Sequence, residues 1–217
     1  MGKTDLLARF SRMLDHAPII AMVDAKDPRH AYHLASAVHT GGFQLIAFEA
    51  GIASAADMVA AFSAREDVII GVHGVDAPAE VEHFVERGAG FIFVQGEDTD
   101  FRQLASRCEA ALIPCNDRLP TQRPLHYAFE CLNGLGAFSE GMLPQTESDE
   151  GRNIIVSGRI PGDELGRWIR AGARAVCLKG ALYSTDMLES NQFPAIRNLA
   201  AAAHQEATRH SRLSTTG

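Results

Sequence analysis

The chain alternates, almost from end to end, between short apolar runs rich in β-branched residues and longer segments with helical spacing. The runs are Ile19–Val23, Leu45–Glu49, Val68–His73, Gly90–Val94, Ala110–Pro114, Ile154–Ser157 and Ala175–Lys179. Between them Ala31, Leu34, Ala35 and Val38 fall at i, i+3, i+4, i+7, as do Ala55, Met58, Val59 and Phe62. Val81, Phe84 and Val85, then Leu165, Trp168 and Ile169, give two further apolar faces. Start signals agree: Asp27 precedes a first-turn Pro28, Ser54 with Asp57 resembles a capping box, and Asp76 stands just before Pro78. Stop signals recur at Gly41-Gly42-Phe43, Gly88-Ala89-Gly90 and Gly172-Ala173-Arg174. Strand, helix, strand with short joins requires parallel strands and right-handed crossovers. Seven clear strands and one obscure one predict a single-domain α/β fold, a (β/α)8 TIM barrel over residues 17–205. An amphipathic helix over 1–16 precedes it, with Leu6, Leu7, Phe10, Met13 and Leu14 apolar. A polar tail over 206–217 is expected to fray.

The obscure stretch is 117–153, which holds Pro120, Pro124, Pro144 and the acidic polar run Thr146–Glu150. A helix across Leu125–Leu132 and a short strand around Ala137–Ser139 are the expected elements there. Bulk properties exclude several classes. A chain of 217 residues with 46% hydrophobic and 22% charged residues can bury a large core. No apolar stretch approaches the roughly 18 residues that span a bilayer. The net charge of −7 argues against a nucleic-acid surface, which needs clustered cations. The N-terminus lacks a signal peptide's apolar core, and Cys108, Cys115, Cys131 and Cys177 lack CxxC spacing. They read as buried thiols in a reducing cytoplasm.

Polar residues stand at or just after nearly every strand's C-terminus: Asp24, Glu49, His73, Gln95, Asn116, Arg159 and Lys179. That rim is where β/α barrels place their chemistry, although loops also begin there and loops are polar. Lys179, one of three lysines with Lys3 and Lys26, shares a strand face with Ala175 and Cys177. It has three possible roles: a Schiff-base amine, a fixed cation for an anion, or an ion-pair partner for Glu49. Glu49 suits a general base and His73 a proton shuttle or anion ligand. Glycine beside a cation at two strand ends, Ser157-Gly158-Arg159 and Lys179-Gly180, predicts anion binding by Gly158, Arg159 and Gly180, with Asn116 beside them. A divalent-metal site from Asp24, Glu49 and His73 is a third possibility. His30, His33 and His39 share a helix and are expected to face solvent. No cofactor and no resident metal are expected.

Several segments carry a resemblance. Gly41-Gly42-Phe43-Gln44-Leu45-Ile46 matches a Gly-Gly turn into a second strand, and Val68–Val75 and Gly88-Ala89-Gly90-Phe91-Ile92 match the next two strands. Leu112-Ile113-Pro114 matches a fifth strand, Ser157–Pro161 stands where a TGGI motif is usual, and Ala175–Ala181 matches a last strand and phosphate loop. In this order and spacing, from about Ala17 to His204, the chain resembles the 2-keto-3-deoxy-6-phosphogluconate / 4-hydroxy-2-oxoglutarate aldolase family. The resemblance implies a homotrimeric (β/α)8 barrel that cleaves a small anionic 2-keto acid to pyruvate and an aldehyde through a lysine Schiff base.

The catalytic residues that the resemblance implies are not kept. The family's base glutamate falls on Ala47 and its GxGT threonine on Gly74. Its lysine, which follows a Gly-Leu pair entering strand six, falls on Ser139 of Gly134–Ser139. A serine forms no imine. Glu49 and Lys179 stand as displaced substitutes. The two leading expectations are therefore an aldolase-like carbon–carbon lyase with a rearranged site, and a catalytically silent barrel that binds an anionic metabolite or a partner. Metal-assisted enolate chemistry ranks third.

Overall fold

The computed structural model describes residues 2–95, 99–118, 127–136, 143 and 153–214. Eight parallel strands close on themselves in chain order: β1 (Ile19–Val23), β2 (Leu45–Glu49), β3 (Ile69–Val75), β4 (Phe91–Gln95), β5 (Ala111–Asn116), β6 (Glu130–Leu135), β7 (Ile154–Gly158) and β8 (Ala175–Leu178). The seam is made by β1 with β8, where Ile19 pairs with Val176 and Ala21 with Leu178. All five residues of β1 are buried, as a strand covered on both faces requires.

Alternation along the strands sorts these residues into two cores. Ile20, Met22, Leu45, Ala47, Ile69, Phe91, Phe93, Ile113, Cys131, Ile155 and Cys177 fill the barrel's interior. The intervening positions, such as Ala21, Val23, Ile46, Phe48, Ile92 and Val156, pack against the helices. The amphipathic helix α1 (Lys3–His16) belongs to the first group. It buries Leu6, Phe10 and Leu14, with the Phe10 ring 5.1 Å from Phe91 and 5.0 Å from Phe129. It therefore plugs the end of the barrel opposite the strands' carboxyl ends.

The outer layer is α2 (Pro28–Thr40), α3 (Ala55–Ser63), α4 (Pro78–Glu86), α5 (Thr99–Arg107), α6 (Leu165–Arg170), α7 (Thr185–Glu189) and α8 (Phe193–Ser214). Asp27 caps α2 as expected, accepting from the Arg29 and His30 amides. Ser54 does not cap α3; its backbone is left-handed and its side chain makes no cap bond. For α4 the reach-back comes from Glu80, which accepts from the Asp76 and Ala77 amides.

Two sequence expectations are corrected. Residues 130–132, expected in a helix, open strand β6, because Glu130–Leu135 ladders between β5 and β7. Residues 206–214, read from sequence as part of a polar tail, continue α8. His210 packs there at 8% exposure, bonded to Glu206, and Ser211 donates to the His16 carbonyl. The strand expected around Ala137–Ser139 lies outside the described residues.

Two bulges shape the rim. Pairing of β3 with β4 slips between Val72 and Val75, and pairing of β6 with β7 slips between Leu132 and Leu135. Each slip contains a glycine at positive φ, Gly74 at 74° and Gly134 at 77°, a conformation that other residues adopt only at a cost. Each places a polar side chain, His73 or Asn133, just before the bend.

Candidate active site

The barrel's inward face, followed to the strands' carboxyl ends, changes from apolar to polar within one layer. A cavity of about 690 Å³ opens there, floored by Met22 and Phe93. Glu49, His73 and Gly74 line one wall; Gln95, Cys115 and Asn133 line a second; Ser157, Gly158, Arg159 and Lys179 line a third. Of the residues expected at the site from sequence, Lys179, Glu49, His73, Gly158 and Arg159 meet in this cavity. Asn116 and Gly180 do not line it.

The difference at β5 has a simple geometric reason. That strand runs on to Asn116, and its inward residues are Ala111, Ile113 and Cys115, so Asn116 faces the other way. Strict two-residue parity would have selected Cys115 and, on β7, Ser157. Asn133 had no such signal, because β6 lies in the stretch whose pattern is obscured by prolines and polar runs.

Lys179 follows β8 directly, and its Nζ lies 2.5 Å from Asp24 Oδ2. The lysine side chain is 50% exposed and the aspartate 19%. Of the three roles open to Lys179, the ion pair with Glu49 is not formed; its partner is Asp24. Asp24 is held in turn by Tyr183, whose hydroxyl donates to Asp24 Oδ1 and accepts from the Asp24 amide at 3.2 Å. The same hydroxyl sits 3.1 Å from the Met22 carbonyl. Tyr183 carried no signal in the sequence, since it sits within the loop that follows β8.

Glu49 and Arg159 make no hydrogen bond or ion pair among the described residues. Glu49 points into the cavity from the same face as Ala47, level with His73 on the neighbouring strand. Arg159 is exposed at the end of β7, its planar fork open to an anion. His73 is sealed at Nε2, which has no hydrogen-bond partner among the described residues. Burial first, and then the Lys179 charge, lower its pKa to about 4, against weaker opposite pulls from Asp24 and a hydrogen bond to Val23. At neutral pH the ring is uncharged. With the other nitrogen engaged at the Val23 backbone, Nε2 carries a buried lone pair that no group among the described residues meets.

Below this layer lie thiols. Cys131 is pushed well up by its hydrogen bond with Cys115 and by burial, and burial also raises Cys177. Both stay protonated at neutral pH and are poor nucleophiles. The four cysteines are free. Among the described residues no three His, Cys, Asp or Glu groups converge as metal ligands, and Asp24 is turned onto Lys179 rather than towards Glu49. Of the three helix histidines only His33 is exposed. His30 and His33 pack beside Phe193, and His39 bonds Asp67 at 2.9 Å.

A parallel eight-stranded β/α barrel with a polar cavity at the strands' carboxyl ends defines the class. Within it, the chain belongs to the KDPG and KHG aldolase family, whose model matches residues 10–199. No curated protein matches the chain in sequence. Among solved structures, the KDPG aldolase of Legionella pneumophila, with pyruvate captured as a covalent carbinolamine, superposes with a TM-score of 0.72. It is 17% identical over 89% of this chain and 97% of that one. The 2-keto-3-deoxy-6-phosphogluconate aldolase of Zymomonas mobilis with 3-phosphoglycerate gives 0.71, at 16% identity over 94% and 96%. At such identities the superpositions speak for the fold. Strand β6, the sixth of the barrel, reads Glu-Cys-Leu-Asn-Gly-Leu and carries no lysine. The Gly134-Leu135 pair ends this strand rather than entering it. Ser139 lies outside the described residues.

Proposed function

We propose that the protein is an aldolase-like carbon–carbon lyase acting on a small anionic 2-keto acid, phosphorylated or dicarboxylated, through a rearranged site. The observation that carries this reading is the meeting of Lys179, Glu49, His73 and Arg159 in one cavity from four different strands. Family membership supplies the reaction class. The Lys179 amine, once it gives up its proton, attacks the keto carbon, and loss of water yields an imine. The imine nitrogen then takes the electron pair released as the carbon–carbon bond breaks. Glu49 receives the proton of the hydroxyl on the carbon being cleaved, whose oxygen becomes the aldehyde carbonyl, with His73 beside it in the same wall. The enamine left behind is protonated and hydrolysed to the free keto acid. Arg159, with the Gly158 backbone, anchors the distal anion. Asn116 and Gly180 drop out of this scheme because neither lines the cavity. A homotrimer is part of the reading, resting on the family.

Pyruvate and borohydride test it. Reduction should leave an adduct on Lys179, found by peptide mass spectrometry and absent from Lys179→Ala, and a panel of 4-hydroxy-2-keto acids should be turned over. A second reading, a silent barrel that binds an anionic metabolite, is favoured by one observation: the Lys179 ammonium is already committed to Asp24. Keto-acid binding without adduct or turnover would decide for that reading and against the lyase.

A further inference from the structure

Three thiols stand on the barrel's inward face, and they are not equivalent. Cys115 of β5 lines the cavity, whereas Cys131 of β6 and Cys177 of β8 are sealed beneath it. Cys115 and Cys131 are direct partners across the β5–β6 ladder. Paired residues of neighbouring strands stand about 4.8 Å apart at Cα, inside the roughly 4.4–6.8 Å that a disulfide spans. Both side chains face the interior, and their sulfurs already share a hydrogen bond. The Cys115 hydrogen turns back to the Ile113 carbonyl at 3.9 Å, so in the shared bond Cys131 donates and Cys115 accepts. No other pair of the four cysteines is so placed. Strand β8 pairs with β7 and β1, so Cys177 is a strand removed from Cys131, and its thiol bonds Ser157. Cys108 follows α5, with its thiol on the Ala110 carbonyl.

We propose that Cys115 and Cys131 are a dithiol modification site, which a hydroperoxide entering the cavity converts to a disulfide and a reducing thiol restores. The Cys115 sulfur attacks the peroxide and takes one of its hydroxyl groups as the O–O bond breaks. The Cys115 hydrogen leaves with the other oxygen, as water when the oxidant is hydrogen peroxide, and Cys115 becomes a sulfenic acid. The Cys131 sulfur then displaces that hydroxyl: the S–S bond forms, the S–O bond breaks, and the Cys131 hydrogen departs with the hydroxyl as water. Two thiols give up two electrons and one peroxide takes them. Cys131 is a poor nucleophile, since its proton is firmly held, but standing contact with the Cys115 sulfur replaces intrinsic reactivity. The crosslink joins β5 to β6 where their ladder is in register at only two positions, Cys115 with Cys131 and Asn116 with Leu132. No lysine and no keto acid takes part, so the site stands apart from the lyase reading.

The test treats the intact protein with hydrogen peroxide while circular dichroism confirms that it stays folded. Remaining thiols are then alkylated in urea, and unreduced peptides are identified by mass spectrometry. The peptides of Cys115 and Cys131 should appear joined, and dithiothreitol should return both thiols. Cys115→Ser should abolish the crosslink and slow loss of the Cys131 thiol by at least about tenfold, because the peroxide no longer meets sulfur in the cavity. Cys177→Ala should leave the crosslink unchanged. In Cys131→Ala the sulfenic acid lacks its partner, so Cys115 should proceed to the sulfinic acid. If that variant does not fold, Cys115→Ser decides alone, since it leaves the buried thiol in place. The assignment is overturned if Cys115 of the parent ends as a sulfinic acid or resists the peroxide. It is equally overturned by a crosslink through Cys108 or Cys177, or by one that forms only after the protein is unfolded.

Discussion

Glu49 and His73 stand side by side in a cavity whose opposite wall is cationic, the Glu49 carboxylate unengaged among the described residues and His73 Nε2 buried. Replacing Glu49 by Gln keeps the shape and removes the proton acceptor. Turnover should fall by about two orders of magnitude, while the borohydride adduct on Lys179 persists. For His73 the expected signature is in stability. The unfolded chain takes up this proton near the ordinary value of 6.5, the folded protein only at about 4. His73 therefore leaves stability untouched above pH 6.5 and lowers it progressively as pH falls from 6.5 towards 4, by about 3 kcal/mol in all. Urea unfolding of His73→Gln across that window should show a flatter pH dependence than the parent; equal slopes would refute the assigned environment. The sequence put both residues on the rim, because a strand's last inward residue can be counted from its apolar run. It gave Lys179 its place but not its partner. Asp24 and Lys179 are neighbours only once β1 and β8 have met, and no local pattern records which strand closes on which.

At the scale of elements, the rim is bent twice by single glycines. The space around a side chain at Gly134 is open, the nearest atom to a built Cβ being Asp117 Oδ1 at 4.0 Å. Gly134→Ala therefore measures backbone strain without a clash, and should cost about 1–2 kcal/mol in a denaturation experiment. Gly134→Asn, whose side chain tolerates the left-handed region, should cost less. An equal cost for the two would mean that steric contact, not φ, is the constraint. Most of this level was legible: seven strands, the α2 cap at Asp27 and the turns at Gly41 and Gly88 follow from period and punctuation. β6 was not, because its run Glu130–Leu135 mixes a charge, an amide and a glycine within six residues. Its burial comes from β5 and β7 on either side rather than from its own apolar pattern. The polar end of α8 was misjudged for a related reason. Arg209 and His210 each pair with Glu206 along the helix, which a tally of polarity does not reveal.

For the molecule as a whole, the decisive piece outside the eightfold repeat is α1. Phe10 is fully buried between Phe91 and Phe129 and closes the interior at the end away from the cavity. Phe10→Ala should cost about 3–5 kcal/mol in urea unfolding and leave the pyruvate–borohydride adduct on Lys179 at the far rim unchanged. A loss of that adduct would show that the two ends communicate. The helix is held in place by Arg174, which donates to the Ser11 carbonyl and pairs with Asp15 at 2.8 Å. The segment just after the first strand supplies Asp24, and the loop after the last supplies the lysine and phenol that clasp it. During synthesis the ribosome delivers the acid early and its two partners more than 150 residues later. Until that final segment emerges and docks, Asp24 has neither of these partners, so this part of the rim is completed only when the barrel's seam closes.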